Sequence, residues 1–200
     1  AITDSYLNML DILNYIYAII AYQRGKAVEI YGNVFTELGR VYWHISRTYR
    51  KELSKYNIAF KYENYTGEDI HVGVYDFILE EDIIRNLFVN SFRALVENES
   101  DKLKSDKLIW IEVYKKSVDE KDQFYIIHFR DNGPGVPPDK KKRIFEGYSS
   151  KEREFIVSDI RTEVEHGVGL RTVKKRIEEA GGSIHEEGVY GEGADFVIIL

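Results

Sequence analysis

From Tyr6 to Tyr22 apolar side chains recur at Leu7, Leu10, Leu13, Ile16 and Ile20, a spacing of threes and fours that gathers them on one helical face. A second series, Val34, Leu38, Val41, Ile45, Tyr49 and Leu53, keeps the same rhythm. The short stretch Gln23-Arg24-Gly25-Lys26 between them suits a tight connection of antiparallel helices. The pattern predicts a helical hairpin over residues 1–60. Two helices cannot cover both of their apolar faces, so the favoured reading is a homodimeric four-helix bundle, and a hairpin folded back on its own chain stays open.

Beyond Tyr56 the pattern turns β-like, at Asn57 to Tyr62 and His71 to Tyr75, and then helical from Glu80 to Glu97. Ile83, Ile84, Leu87, Phe88, Ala94 and Leu95 mark the apolar side of that helix. Two alternating runs, Leu108 to Tyr114 and Phe124 to Phe129, predict paired antiparallel strands. The Gly/Pro segment Asp131 to Pro138 follows directly. A helix is expected from about Val168 to Ala180, stopped by Gly181-Gly182, with a last strand over Ala194 to Leu200. Helices and strands mix without a βαβ rhythm, so the predicted fold class is α+β: an antiparallel or mixed sheet with helices on one face. No internal repeat or low-complexity tract interrupts it.

Composition narrows the function classes. The chain has 200 residues, 44% of them apolar, long enough to bury a sizeable core. Its net charge is −6, which leaves no excess of cations for nonspecific contact with a nucleic-acid backbone. The absence of cysteine excludes disulfides, thiolate metal sites and cysteine nucleophiles. The longest apolar stretch, Tyr15 to Tyr22, falls far short of the roughly 20 residues a bilayer span needs. A soluble fragment without membrane contact is therefore expected, and because it starts at Ala1, a piece of something longer.

Three segments carry chemistry beyond structure. In the helix from Glu80, Asn86 and Asn90 are four apart and Arg93 follows by three, so all three share a side. Amide oxygens are hard neutral ligands that suit Mg²⁺, and a guanidinium suits phosphate. At a strand end, Arg130-Asp131-Asn132-Gly133-Pro134-Gly135-Val136 joins a carboxylate, able to accept a hydrogen bond from an exocyclic amine such as adenine's, to glycines that permit close backbone approach. Third, His166-Gly167-Val168-Gly169-Leu170-Arg171 leads glycines into a helix, where free N–H groups and the helix dipole favour phosphate. Each alone also reads as ordinary structure: solvated asparagines, a turn, a loop.

Together, Asn86…Asn90, Asp131-x-Gly133-x-Gly135, Ile144-Phe145-Glu146-Gly147-Tyr148-Ser149-Ser150-Lys151 and Gly167-x-Gly169-Leu170 resemble the N, G1, F and G2 boxes of the GHKL ATP-binding domain, in its sensor histidine kinase version. The resemblance runs from about Glu80 to Leu200 and includes Gly191-Glu192-Gly193-Ala194-Asp195-Phe196. It implies a Bergerat-type α/β sandwich over residues 61–200 that binds ATP and Mg²⁺ under a lid spanning Tyr148 to Glu165. By the same match, Asp131 would hold the adenine amine, with Gly133, Gly135, Val136 and Ala194 around the base. Asn90 and Asn86 would be metal ligands. Arg93, Lys151, Gly167, Val168, Gly169 and Leu170 would face the phosphates. Hydrolytic relatives such as the MutL and gyrase B families carry a glutamate four residues before the metal asparagine. Asn86 stands there instead, and an amide cannot activate water, so the γ-phosphoryl is expected to be kept for a protein acceptor.

Histidine kinases also place the phosphorylated histidine on the first hairpin helix, often as H-D-x-x-N. Here the run is Leu10-Asp11-Ile12-Leu13-Asn14, and leucine has no nucleophilic nitrogen. A chain that phosphorylates a partner, a substitution, and a chance match of a short motif all stay open. None of the five histidines, His44, His71, His128, His166 and His185, stands out as a replacement. Glu165 takes the place of the first G2 glycine, where a carboxylate would repel a triphosphate. The expected function is a histidine protein kinase core, partnered by a response-regulator receiver domain. The alternative is a dimeric nucleotide-binding signalling module without autokinase activity.

Overall fold

The structure, a computed structural model, describes residues 36–68, 71–72, 82–97, 106–117, 123–146 and 169–200. Strand β1 (Thr36–Glu37) leads into helices α1 (Leu38–Thr48) and α2 (Arg50–Lys55), followed by β2 (Ile58–Asn64) and β3 (His71–Val72). Helix α3 (Arg85–Glu97), strands β4 (Lys107–Ser117) and β5 (Gln123–Asp131) and a 3₁₀ turn (Arg143–Phe145) come next. Helix α4 (Gly169–Glu179), β6 (Ser183–Glu186) and β7 (Ala194–Ile199) complete the order.

The main sheet has five strands in the order β2-β4-β5-β7-β6, and β1 pairs with β3 apart from it. β2 runs parallel to β4 in register Ile58↔Lys107, and the remaining pairs in the sheet are antiparallel. A parallel pair needs a long crossover, and α3 lies in the β2–β4 connection. The sheet is therefore mixed. Alternation puts Ile109, Ile111 and Val113 of β4, Ile127 and Phe129 of β5, and Phe196 and Ile198 of β7 on one face. Leu38, Val41 and Ile45 of α1, Leu87, Phe88, Phe92 and Leu95 of α3, and Val173 and Ile177 of α4 join them in one core. Ring contacts bind its centre: Phe88 lies 4.8 Å from Tyr49 and 5.1 Å from Phe60 between centroids. The opposite face is polar, where Arg130 donates to Asp195 at 2.8 Å and also pairs with Glu112.

Several sequence expectations meet local differences. Within the described residues the second helical series runs from Leu38 and bends at Tyr49, though the Tyr49 N–H still reaches the Ile45 carbonyl at 3.0 Å; Val34 lies outside them. It ends where Asn57 takes a left-handed conformation, φ 52°, a role short polar side chains tolerate. Its apolar side is buried on the sheet, and residue 60, where sequence divides hairpin from ATP-binding domain, lies inside β2. The first helical series, with Leu10, Asp11 and Asn14, lies outside the described residues. The helix expected from Glu80 is a π turn over 82–84 followed by α3. Helix α4 stops as predicted: Gly182 N–H bonds the Ile177 carbonyl at 2.9 Å and Gly181 N–H that of Glu178 at 3.0 Å, with Gly181 at φ 82°.

Candidate nucleotide-binding site

Asp131 ends β5 on the strand phase that Ile127 and Phe129 bury, so a carboxylate is delivered to the edge of the core and is only 4% exposed. Ser91 of α3 donates to its Oδ2 at 2.5 Å. The Gly133 and Ala194 amides donate to Oδ1 at 2.9 and 3.4 Å. Burial pushes its pKa up from the ordinary carboxylate value. The three hydrogen bonds favour the ionised form and partly offset burial, while the Glu186 charge adds to the upward push. The result is an acceptor held in one orientation by α3, the following turn and β7.

The turn after Asp131 is pinned on both sides. Asn132 donates to the Asp106 carbonyl at 2.8 Å and accepts from the Leu108 amide at 2.8 Å, so this residue fixes the loop. Gly135 has φ 68°, and a methyl there would lie 2.7 Å from the carbonyl oxygens of Gly193 and Val189. Only glycine lets the two loops touch in this way. The Gly191 amide closes the contact on the Pro134 carbonyl at 2.7 Å. Val136 packs against the core, and Ala194 is buried beside Asp131.

The first and third motifs meet at the start of α4. Asn86 is buried, and its Nδ2 donates to the Asp82 carbonyl at 2.9 Å, which turns its Oδ1 towards the start of α4. A methyl on Gly169, the first residue of α4, would come 2.9 Å from that Oδ1. The sequence pair Asn86 and Gly169, 83 residues apart in the chain, is thus in side-by-side contact. Asn90, one turn further along α3, is half-buried, as is Arg93. Leu170 is partly buried against the core. Lys151, Gly167, Val168, His166, Glu165 and the expected lid lie outside the described residues.

Sequence reasoning missed Ser91, Lys141 and Glu186. Ser91 had a signal: it follows Asn90 on the side of α3 that carries Leu87 and Leu95. Glu186 had a fainter one, a charge two residues from Ile184 and so on the same buried face of β6, in a strand the sequence reading did not foresee. Of the histidines, His128 is held on the outer sheet face 3.0 Å from Asp195, and His185 is exposed beside Glu187 at 2.7 Å.

A family model described as "Histidine kinase-, DNA gyrase B-, and HSP90-like ATPase" matches residues 78–200. The sensor protein CitS of Halalkalibacterium halodurans is 37% identical over 118 residues, 58% of this chain and 20% of that protein. The chain spans about a fifth of the length of this CitS and of its Bacillus subtilis counterpart. Two solved structures share the fold. One is the mycobacterial sensor histidine kinase MprB, with TM-score 0.61 and 17% identity, covering 84% of this chain and 97% of that one. The other is full-length ShkA in complex with AMPPNP, with TM-score 0.61 and 19% identity, covering 100% of this chain and 38% of that one. Among the described residues no helix is long and apolar enough to cross a membrane. The chain belongs to the histidine kinase-, DNA gyrase B- and HSP90-like ATPase family and carries a catalytic core of the sensor histidine kinase type.

Proposed function

We propose that this core binds Mg-ATP with the adenine amine on Asp131 and passes the γ-phosphoryl to a histidine of a two-component signalling protein. The observation that carries the reading is the Asp131 carboxylate, buried yet held, among the described residues, by three donors and no side-chain cation, as an acceptor waiting for an amine would be. Gly133, Gly135, Val136 and Ala194 would shape the base pocket. The α4 N-terminus at Gly169 and Leu170 would offer amides to phosphate, together with Arg93 of α3 and, beyond the described residues, Lys151, Gly167 and Val168. That a fold neighbour was solved with AMPPNP supports the nucleotide.

Neutral amide oxygens fit Mg²⁺ shared with phosphates better than a cage of carboxylates would. Asn90 and Asn86 would hold it, and Asn86 fits by presenting Oδ1 at the helix end where phosphates would sit. Bound there, the ion would neutralise charge on the phosphate oxygens. Asn86 also stands where a hydrolytic enzyme needs a base, so water would be poorly activated and the phosphoryl retained for transfer. The partners in this reading are a second copy of the chain through the helical hairpin of residues 1–60 and a response-regulator receiver domain.

Incubation of the intact sensor that carries this core with γ-labelled ATP and Mg²⁺ tests the reading. The expected product is a labelled protein whose phosphate is lost in acid and kept in alkali, as a phosphohistidine behaves. Steady phosphate release with no labelled protein would overturn it in favour of a hydrolytic ATPase.

A further inference from the structure

A second carboxylate lies at the same end of the sheet. Glu186 ends β6 on its inward phase, and its side chain is 0% exposed. Its Oε1 accepts from the Gly188 amide at 2.9 Å and the Asp195 amide at 3.2 Å. Oε2 is buried and accepts no directed hydrogen bond. What compensates it is the Lys141 ammonium, 2.7 Å away, which also donates to the Gly188 carbonyl. Lys141 sits in the turn over 138–142, just past the Gly135 loop, and its side chain is only 25% exposed. A buried ion pair here is costly to desolvate and brittle if one partner is removed, so its presence invites a reason beyond stability.

The reason lies in the strand between the two acids. Consecutive amides at the start of β7 serve them separately: Ala194 N–H points to Asp131 and Asp195 N–H to Glu186. Both carboxylates therefore lean on one short backbone segment, in low dielectric, with like charge. We propose that Lys141 is a positioning residue of the nucleotide site: by compensating Glu186 it keeps two neighbouring buried acids from competing, so that Asp131 remains a bare acceptor for the adenine amine. This rests on the nucleotide reading above. The upward push of Glu186 on Asp131 agrees with it. Asp195, Arg130 and His128 bond one another on the opposite face, and α3, which packs on Asp131 through Ser91, carries Arg85, Arg93 and Glu97.

The test measures the dissociation constants of ATP and of purine riboside triphosphate, which lacks the amine, across pH for the wild type, K141M and E186Q. Wild type should prefer ATP and lose that preference towards acid as Asp131 gains a proton. In K141M the loss should begin at a higher pH, by on the order of one unit, and in E186Q at a lower one. A merely structural pair would move both variants the same way, and that result, or no movement in either, overturns the proposal. If wild type never distinguishes the two nucleotides, the nucleotide reading itself fails. Should K141M not fold, E186Q and the charge-keeping K141R remain decisive: K141R should follow wild type and E186Q should not.

Discussion

Asp131 shows how one side chain can cost the fold while standing ready for the proposed site. Its pKa in the fold lies above the ordinary carboxylate value of 3.8, so between those two values the folded chain keeps a proton that the unfolded chain has released. Stability therefore falls as pH rises through that window, and above it the ionised group remains a burden. Asp131→Asn removes the charge and can retain the geometry, since Asn Oδ1 still accepts from the Gly133 amide and Ser91 Oγ can accept from Nδ2. Thermal melts without nucleotide should show Asp131→Asn losing less stability than wild type as pH is raised from about 4 to neutrality. The same variant should bind ATP roughly 10- to 100-fold more weakly, the worth of a hydrogen bond to a charged group. Parallel melting curves together with unchanged affinity would contradict both roles.

At the scale of elements, the site is a junction of α3, the β5 turn, the start of α4 and the β6–β7 hairpin. The α3–α4 joint is close: Gly169 meets Asn86, and Arg176 of α4 donates to Asp82, at the entry to α3, at 2.8 Å. Gly169→Ala should displace the end of a flexible side chain rather than backbone, so the melting temperature should move by only a few degrees. Moving Asn86 should, however, weaken the Mg²⁺ dependence of ATP binding several-fold, as titration with and without the metal would show. A full-strength metal effect in Gly169→Ala would remove Asn86 from the phosphate end.

Much of this joint was legible in the sequence. Asn86, Asn90, Asp131 and Gly169 carried unusual chemistry at fixed spacing, and α3, β4, β5 and β7 carried clear periodicity. What stayed hidden had physical causes. β6 is four residues long with two charged or titratable side chains, too short for alternation to register. The helical series from Leu38 has a genuine apolar face, but periodicity does not say what covers it, and here it is the sheet. Nothing local marks Lys141 and Glu186, because only the tertiary fold brings residues so far apart together.

For the molecule as a whole, one continuous core joins α1, α3 and α4 to a single face of the sheet, while the other face carries the ion pairs of Arg130 with Glu112 and Asp195 and the contact of His128 with Asp195. A rigid sheet with one dry face holds the ends of β5, β6 and β7 in register, and that register places Asp131 beside Ala194 and Glu186 opposite Phe196. The proposed base pocket would thus be a product of sheet order rather than of any one loop. The most direct test of this account is an amide NMR titration with Mg²⁺ and a nonhydrolysable ATP analogue. The account predicts the largest shifts at Ser91, Gly133, Gly169 and Ala194, with little change at Lys61, Lys107 and Ser183. Shifts confined to the outer sheet face, or none at saturating nucleotide, would contradict it.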